Sequence, residues 1–148
     1  MNHHAAPRDI DILLARYAES HRNHTNEIIH FVCIPLIVLS LLGILWAIHP
    51  VLALAAVLGS LYYYARLSRG FALGMGVMGA AMLGLLAIMP AFTVLPVSIA
   101  VFVVAWIGQF VGHKIEGKKP SFLDDLRFLL IGPLFVLSFL YRRMNLAY

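Results

Sequence analysis

Charge is scarce in this sequence, and cysteine is almost absent. Charged residues make up 12% of the 148 residues, whereas soluble globular domains carry about 25%. Because 61% of the residues are hydrophobic, the composition excludes a disordered chain and argues strongly against a soluble domain. The one cysteine, Cys33, rules out an intrachain disulfide framework and a zinc site built on cysteines. The formal net charge of +4 is too small, on so apolar a chain, to predict a nucleic-acid partner.

The hydrophobic residues are collected in two long stretches without charge. No Asp, Glu, Lys or Arg occurs from Ile28 to Ala65 or from Gly70 to His113. Each stretch is long enough for two membrane helices, since one helix needs about 20 apolar residues. Each also has a proline near its middle, Pro50 or Pro90, where a turn is expected. We therefore predict four spans in two helical hairpins: Phe31–Ile48 with Val51–Ala65, and Phe71–Met89 with Phe92–Gly112.

Two further segments flank the predicted spans. In the polar, histidine-rich residues 9–30, five residues recur at the spacing of one helix face: Ile10, Leu13, Leu14, Tyr17 and His21. They predict an amphipathic helix on the membrane surface, and no cleaved signal peptide is expected there. Residues 121–141 contain an apolar run that is short for a span, which predicts a re-entrant or interfacial segment. The whole chain, residues 1–148, is thus predicted to be one all-α integral membrane domain.

Basic residues occur on only one side of the predicted hairpins. The tips at His49-Pro50 and Pro90-Ala91 have none, and the opposite side has eight: Arg8, Arg16, Arg22, Arg66, Arg69, Lys114, Lys118 and Lys119. The positive-inside rule then predicts cytoplasmic termini, in a bacterial inner membrane, or in the endoplasmic reticulum if the protein is eukaryotic.

Two further patterns concern how the spans pack. Three tyrosines end the second span and are expected to be interfacial anchors: Tyr62, Tyr63 and Tyr64. Three small residues recur every four positions: Gly76, Ala80 and Gly84. That spacing suits close helix packing, either within the chain, which we favour, or at the seam of a homo-oligomer.

Four of the seven histidines lie on the predicted cytoplasmic side: His21, His24, His30 and His113. Three pairs at three-residue spacing would share a helix face: His113 with Glu116, His21 with His24, and His30 with Glu27. Imidazole and carboxylate together suit Fe(II), Mn(II) or Zn(II). Each histidine alone reads as an ordinary polar residue at headgroup level. Spacing leaves open both that interpretation and a joint metal site of His21, His30 and His113.

A joint site requires a bend between the first two of these histidines. On one straight helix, His21 and His30 would point about 180° apart and lie about 13 Å apart along the axis. Asn23 and Asn26 lie in that interval, and asparagine favours turns by bonding to nearby backbone. We therefore predict that the helix breaks there.

The motifs around these histidines resemble a known family, the 2-hydroxy fatty acid dioxygenases, small membrane proteins that include a yeast enzyme of phytosphingosine breakdown. Its first signature is similar to Tyr17-x3-His21-x-Asn23-x2-Asn26-x3-His30, followed here by Cys33-Ile34-Pro35. Its second is similar to Trp106-x2-Gln109-x2-Gly112-His113-x2-Glu116-x3-Pro120. The two signatures occur in the expected order and flank the hydrophobic hairpins, so the resemblance covers most of the chain, from about Tyr17 to Tyr141.

The resemblance implies a haem-free Fe(II) dioxygenase that uses O2 to shorten a long-chain 2-hydroxy fatty acid by one carbon. It implies that His21, His30 and His113 are the catalytic iron ligands, with Glu116 as a fourth candidate and His24 and Glu27 as alternates. Four motif residues are expected to support these ligands from around the site: Tyr17, Asn23, Asn26 and Gln109. The sequence assigns no residue to substrate binding.

Two other functions use the same features. The cluster of histidine and carboxylate would also suit a zinc-dependent membrane hydrolase, and a non-enzymatic membrane scaffold that binds lipid would need no metal. The motif resemblance places the dioxygenase first.

Overall fold

The computed structural model describes residues 7–19, 21–117 and 128–148, and this part of the chain is helical, with no strand. It forms six helices: α1 Asp9–Ala18, α2 His24–Ile48, α3 Pro50–Leu67, α4 Arg69–Ile88, α5 Ala91–Glu116 and α6 Ile131–Arg143. Four of them, α2 to α5, are long and apolar enough to cross a membrane. The predicted all-α membrane fold with four spans is therefore confirmed.

Short polar or proline-containing turns separate the four long helices. His49 is extended between α2 and α3, its imidazole accepts a hydrogen bond from the backbone N–H of Val51, and Pro50 begins α3. Ser68 caps α4 by accepting from the N–H of Phe71. Pro90 precedes α5, at the second predicted hairpin tip. A proline at the first position of a helix removes no helical hydrogen bond, so these turns cost little.

The histidine-bearing ends of α2 and α5 extend beyond the predicted spans. The first span was predicted to begin at Phe31, but α2 begins at His24 because Asn23 caps it. The fourth was predicted to end at Gly112, but α5 continues to Glu116 and ends at Gly117, which has a left-handed φ of 75°. Each extension adds helical turns that carry polar side chains beyond the apolar part of the span.

The most extensive contact between helices joins α2 and α5. Glycines allow this approach, because a Cβ at Gly43 would overlap Ser98 and one at Gly112 would overlap Asn26. Helix α3 packs between α2 and α4. The favoured interpretation of Gly76, Ala80 and Gly84 as an internal seam is wrong, since Ala80 and Gly84 are exposed and Gly84 has no atom within 4 Å of a built Cβ. A homo-oligomer through this stripe stays a prediction.

The two short helices lie together at the end of the bundle where α2 begins and α5 ends. Helix α6 has 13 residues, spans about 20 Å, and packs on α1, α2 and α4. The guanidinium of Arg8 donates to the backbone of Tyr148, so the two ends of the described chain meet. Residues 121–127 of the predicted re-entrant or interfacial segment lie outside the described residues. Of the predicted tyrosine anchors, Tyr62 is 69% exposed but Tyr64 is 1% exposed, because its hydroxyl donates to the carbonyl of Leu130.

Candidate metal centre

Three imidazoles from three parts of the chain converge where α2 begins and α5 ends. His21 lies in the turn after α1, His30 on the second turn of α2 and His113 in the last turn of α5. Each offers a ring nitrogen, and these nitrogens all lie within 4.8 Å of one another. The residues are 7%, 1% and 5% exposed, respectively. Three buried imidazoles this close together could hold one metal ion between them.

The chain bends between His21 and His30, as the geometric argument requires. Helix α1 ends at Ala18, whose carbonyl accepts from the N–H of His21 at 3.1 Å. Asn23 then starts α2, its side chain accepting from the N–H groups of Thr25 and Asn26. Asn23 therefore makes the predicted break, whereas Asn26 lies inside the new helix and faces α5.

Local hydrogen bonds set the tautomers of two of the imidazoles. Nδ1 of His21 lies 2.8 Å from the carbonyl of Tyr17, and Nδ1 of His30 lies 2.9 Å from the carbonyl of Asn26. A carbonyl can only accept, so Nδ1 carries a proton in both rings, and in the neutral imidazole the lone pair is then on Nε2. Metal-binding histidines commonly have this arrangement, in which the second nitrogen is held by a backbone carbonyl.

Aromatic contacts hold the ring of His21 in place. The ring of Tyr17 stacks on it, with centroids 4.2 Å apart and an interplanar angle of 7°. The ring of Phe135 on α6 lies 4.9 Å from Tyr17 and 5.8 Å from His21. Tyr17 thus supports His21 with both its carbonyl and its ring. Phe135 of α6 packs against both rings.

Glu116 holds the bend rather than joining the imidazoles. Its carboxylate accepts three hydrogen bonds of 2.9 Å, from the backbone N–H groups of Arg22 and Asn23 and from the side-chain amide of Asn26. These donors lie at the N-terminus of α2, where a negative charge is favourable. The last residue of α5 is therefore fastened to the segment that directly follows His21.

The alternates predicted from spacing lie apart from the three imidazoles. The side chain of His24 is 84% exposed and lies 3.5 Å from the carboxylate of Glu27. Neither residue belongs to the group of converging ligand atoms. Gln109, one turn before His113 on α5, is 3% exposed, and its position is consistent with the expected supporting role.

Gly112 also shapes the site, although the motif pattern assigned it no role. Gly112 precedes His113, and a Cβ there would lie 3.2 Å from Cε1 of His30 and overlap Oδ1 of Asn26. Only a residue without a side chain lets α5 approach α2 so closely at the level of the imidazoles. Its place in the second signature, directly before a histidine, was the only sequence signal for this role.

Comparison with known proteins gives one match. The model of the family described as Mpo1-like, 2-hydroxy-palmitic acid dioxygenase Mpo1-like, matches residues 8–144 of this chain. No curated protein and no solved structure matches it.

Proposed function

This chain belongs to the Mpo1-like family, and on that premise we propose that it is a non-haem Fe(II) dioxygenase of long-chain 2-hydroxy fatty acids. The family suspected from the two motifs is confirmed, and its description names a 2-hydroxy-palmitic acid dioxygenase. The reaction we propose is α-oxidation, in which O2 and the 2-hydroxy acid give the acid that is one carbon shorter, together with CO2 from the original carboxyl group and one water molecule.

The convergence of His21, His30 and His113 is the observation that carries this proposal. In two of the rings, a backbone carbonyl accepts the hydrogen bond from Nδ1–H, so Nε2 is the nitrogen that would bind a metal. This arrangement is typical of histidines that bind a divalent metal ion. Three neutral nitrogen ligands suit Fe(II) and leave coordination positions open. Bound there, Fe(II) would supply the electron chemistry that lets O2 react with a closed-shell organic acid.

The residues around the imidazoles would prepare the site for that chemistry. Tyr17 and Glu116 hold the segment of His21, through the stacked ring and through hydrogen bonds to Arg22 and Asn23. Burial of all three imidazoles keeps water away from the ligand atoms. The site lies at the ends of membrane helices, where a polar head and an apolar tail can be accepted together. We therefore propose His21, His30 and His113 as ligands, and Glu116 as a residue that positions them.

We also propose that this end of the bundle faces the cytoplasm. Arg66, Arg69 and Lys114 lie at the helix ends on this side, and the two hairpin tips have no basic residue. The positive-inside rule supports cytoplasmic termini. The bacterial inner membrane, or the endoplasmic reticulum in a eukaryote, would be the location, and the chain would act as one domain.

The test combines metal analysis with O2 uptake on purified protein supplied with 2-hydroxypalmitate. We expect bound iron, O2 consumption and a product one carbon shorter. His113→Ala should lose both iron and O2 uptake. His24→Ala is the matched control and should keep both, since His24 is exposed and lies outside the cluster. Bound zinc without O2 uptake would instead support the hydrolase, and full activity of His113→Ala would refute the site.

A further inference from the structure

One face of α2 leads from the imidazoles toward the opposite end of the bundle. C-terminal to His30, this face has six apolar residues: Ile34, Ile37, Val38, Leu41, Leu42 and Leu45. The first two border a small cavity of about 30 Å³, and the other four border a larger one of about 220 Å³. Because these positions repeat at intervals of three and four residues, the two cavities succeed each other along one side of the helix.

The small cavity has a mostly apolar lining, which includes two residues that neighbour the imidazoles. It is bordered by Tyr17, whose ring stacks on His21, and by Gln109, one turn before His113. Gln109 is 3% exposed, and its Nε2 is buried with no hydrogen-bond partner among the residues that the structure describes. A buried amide donor of this kind favours an oxygen acceptor in its cavity.

Most of the residues that line the larger cavity are apolar. It lies between α2, α3 and α4, and residues 129, 130 and 133 close it on the side of the small cavity. Among its described lining residues only Ser60 and Tyr64 have hydroxyls, and both donate to backbone carbonyls, of Val57 and Leu130 respectively. The described lining of this cavity therefore suits a hydrocarbon chain better than a charged headgroup.

Leu129 lies between the two cavities, because it borders both. The neighbouring Leu130 is held by the hydroxyl of Tyr64 at 2.9 Å. From His30 to Leu45, α2 rises about 22 Å, which is of the order of an extended palmitoyl chain. The small cavity with Gln109 and the larger apolar cavity therefore lie in the same order as the polar head and the apolar tail of a fatty acid.

We propose that the larger cavity receives the acyl chain of the substrate, with the polar head beside Gln109 and the imidazoles. This inference rests on the proposed function and adds the residues that bind the tail. A tail that comes from the bilayer leaves one apolar environment for another, so burial itself favours binding little. Selection among chain lengths is therefore steric. It is set by the side chains around the far end of the cavity, which is the end that lies farther from the imidazoles.

A matched pair of substitutions on α3 tests this. Ala55 and Ala56 are both exposed, but only Ala56 borders the cavity. Ala56→Phe adds a ring at the far end of the cavity. The ring would take up space that a long acyl chain needs, and overpacking of this kind should lower kcat/KM for the long substrate about tenfold or more. The ratio of kcat/KM for 2-hydroxypalmitate to that for 2-hydroxyoctanoate should fall by that factor. Ala55→Phe should leave the ratio unchanged, and an equal effect of both variants would overturn the proposal.

Photo-crosslinking provides a readout that does not depend on activity. The probe is 2-hydroxypalmitate with a diazirine at its last carbon, applied to the protein in phosphatidylcholine vesicles. Cross-links should map to the α2, α3 and α4 residues of the cavity, disappear with excess unlabelled 2-hydroxypalmitate, and weaken in Ala56→Phe. Cross-links spread over the lipid-facing surface would overturn the acyl site even if O2 uptake is observed. Cross-links in the cavity without O2 uptake would support the acyl site and refute the dioxygenase.

Discussion

Removal of the Glu116 carboxylate should loosen the bend that carries His21. Glu116→Ala deletes three acceptor contacts of 2.9 Å, to the N–H groups of Arg22 and Asn23 and the amide of Asn26. Hydrogen bonds to a charged group contribute about 1.5–3 kcal/mol each, and these share one half-buried acceptor, so we expect a total loss of about 2–4 kcal/mol. For a chain of this size, that corresponds to a decrease of roughly 4–16 °C in the unfolding temperature.

The same change should weaken metal binding. Arg22 and Asn23 directly follow His21, so the imidazole loses the anchor that fixes its distance to His113. Loss of a group that orients a metal ligand typically lowers metal affinity about 10–100-fold. Titration of EDTA-treated protein with Fe(II) measures this affinity. Glu116→Gln keeps one accepting oxygen and should lie between the wild type and Glu116→Ala.

The control and the refuting result both follow from the position of the carboxylate. Glu27→Gln removes a carboxylate from the same helix start, one that lies beside the exposed His24, and should change neither quantity appreciably. If Glu116 is a metal ligand instead, its removal lowers iron affinity but leaves the unfolding temperature of EDTA-treated protein unchanged. That outcome would show the reasoning from its hydrogen bonds to be wrong.

Two further predictions concern the packing around the site. Gly112→Ala should cost about 1–3 kcal/mol, since its Cβ would meet Asn26 and His30, and should lower the iron content; thermal unfolding and metal analysis check this, and wild-type values for both would contradict it. Tyr64→Phe should lower the free energy of unfolding by about 1 kcal/mol because the bond to Leu130 is lost; Tyr62→Phe, at a 69% exposed position, should leave it unchanged.

The sequence predicts the four spans and the turns between them well because lipid imposes a simple physical rule on it. A charge inside the hydrocarbon layer is costly, so stretches without charge mark the spans, and Pro50 and Pro90 mark the turns between them. The same rule misplaces the ends of α2 and α5. An apolar stretch ends at the first polar residue, whereas a helix can continue through polar residues. His24 and Glu116 continue the helices beyond the apolar stretch, and the caps at Asn23 and Gly117 set their limits.

The side-chain contacts across helices were less predictable. Three-residue spacing puts Glu116 and His113 near one another on a helix, and a carboxylate there reads equally well as a ligand or as an acceptor for another segment. The choice depends on where the start of α2 lies relative to the end of α5, which no local pattern specifies. For the same reason, Asn26 was expected to bend the chain, whereas its amide spans the two helices and reaches Glu116.

The candidate centre combines local and long-range order in a way that makes metal affinity a measure of helix packing. His21 and His30 are aimed by carbonyls four residues earlier, so each ring is oriented within its own segment of chain. The distance to His113 is set separately, by the contact of Gly112 with Asn26 and by the Glu116 hydrogen bonds. A defect in that contact should therefore move intact, correctly oriented ligands apart. Weakened iron binding with unchanged helix content is the consequence expected for such variants.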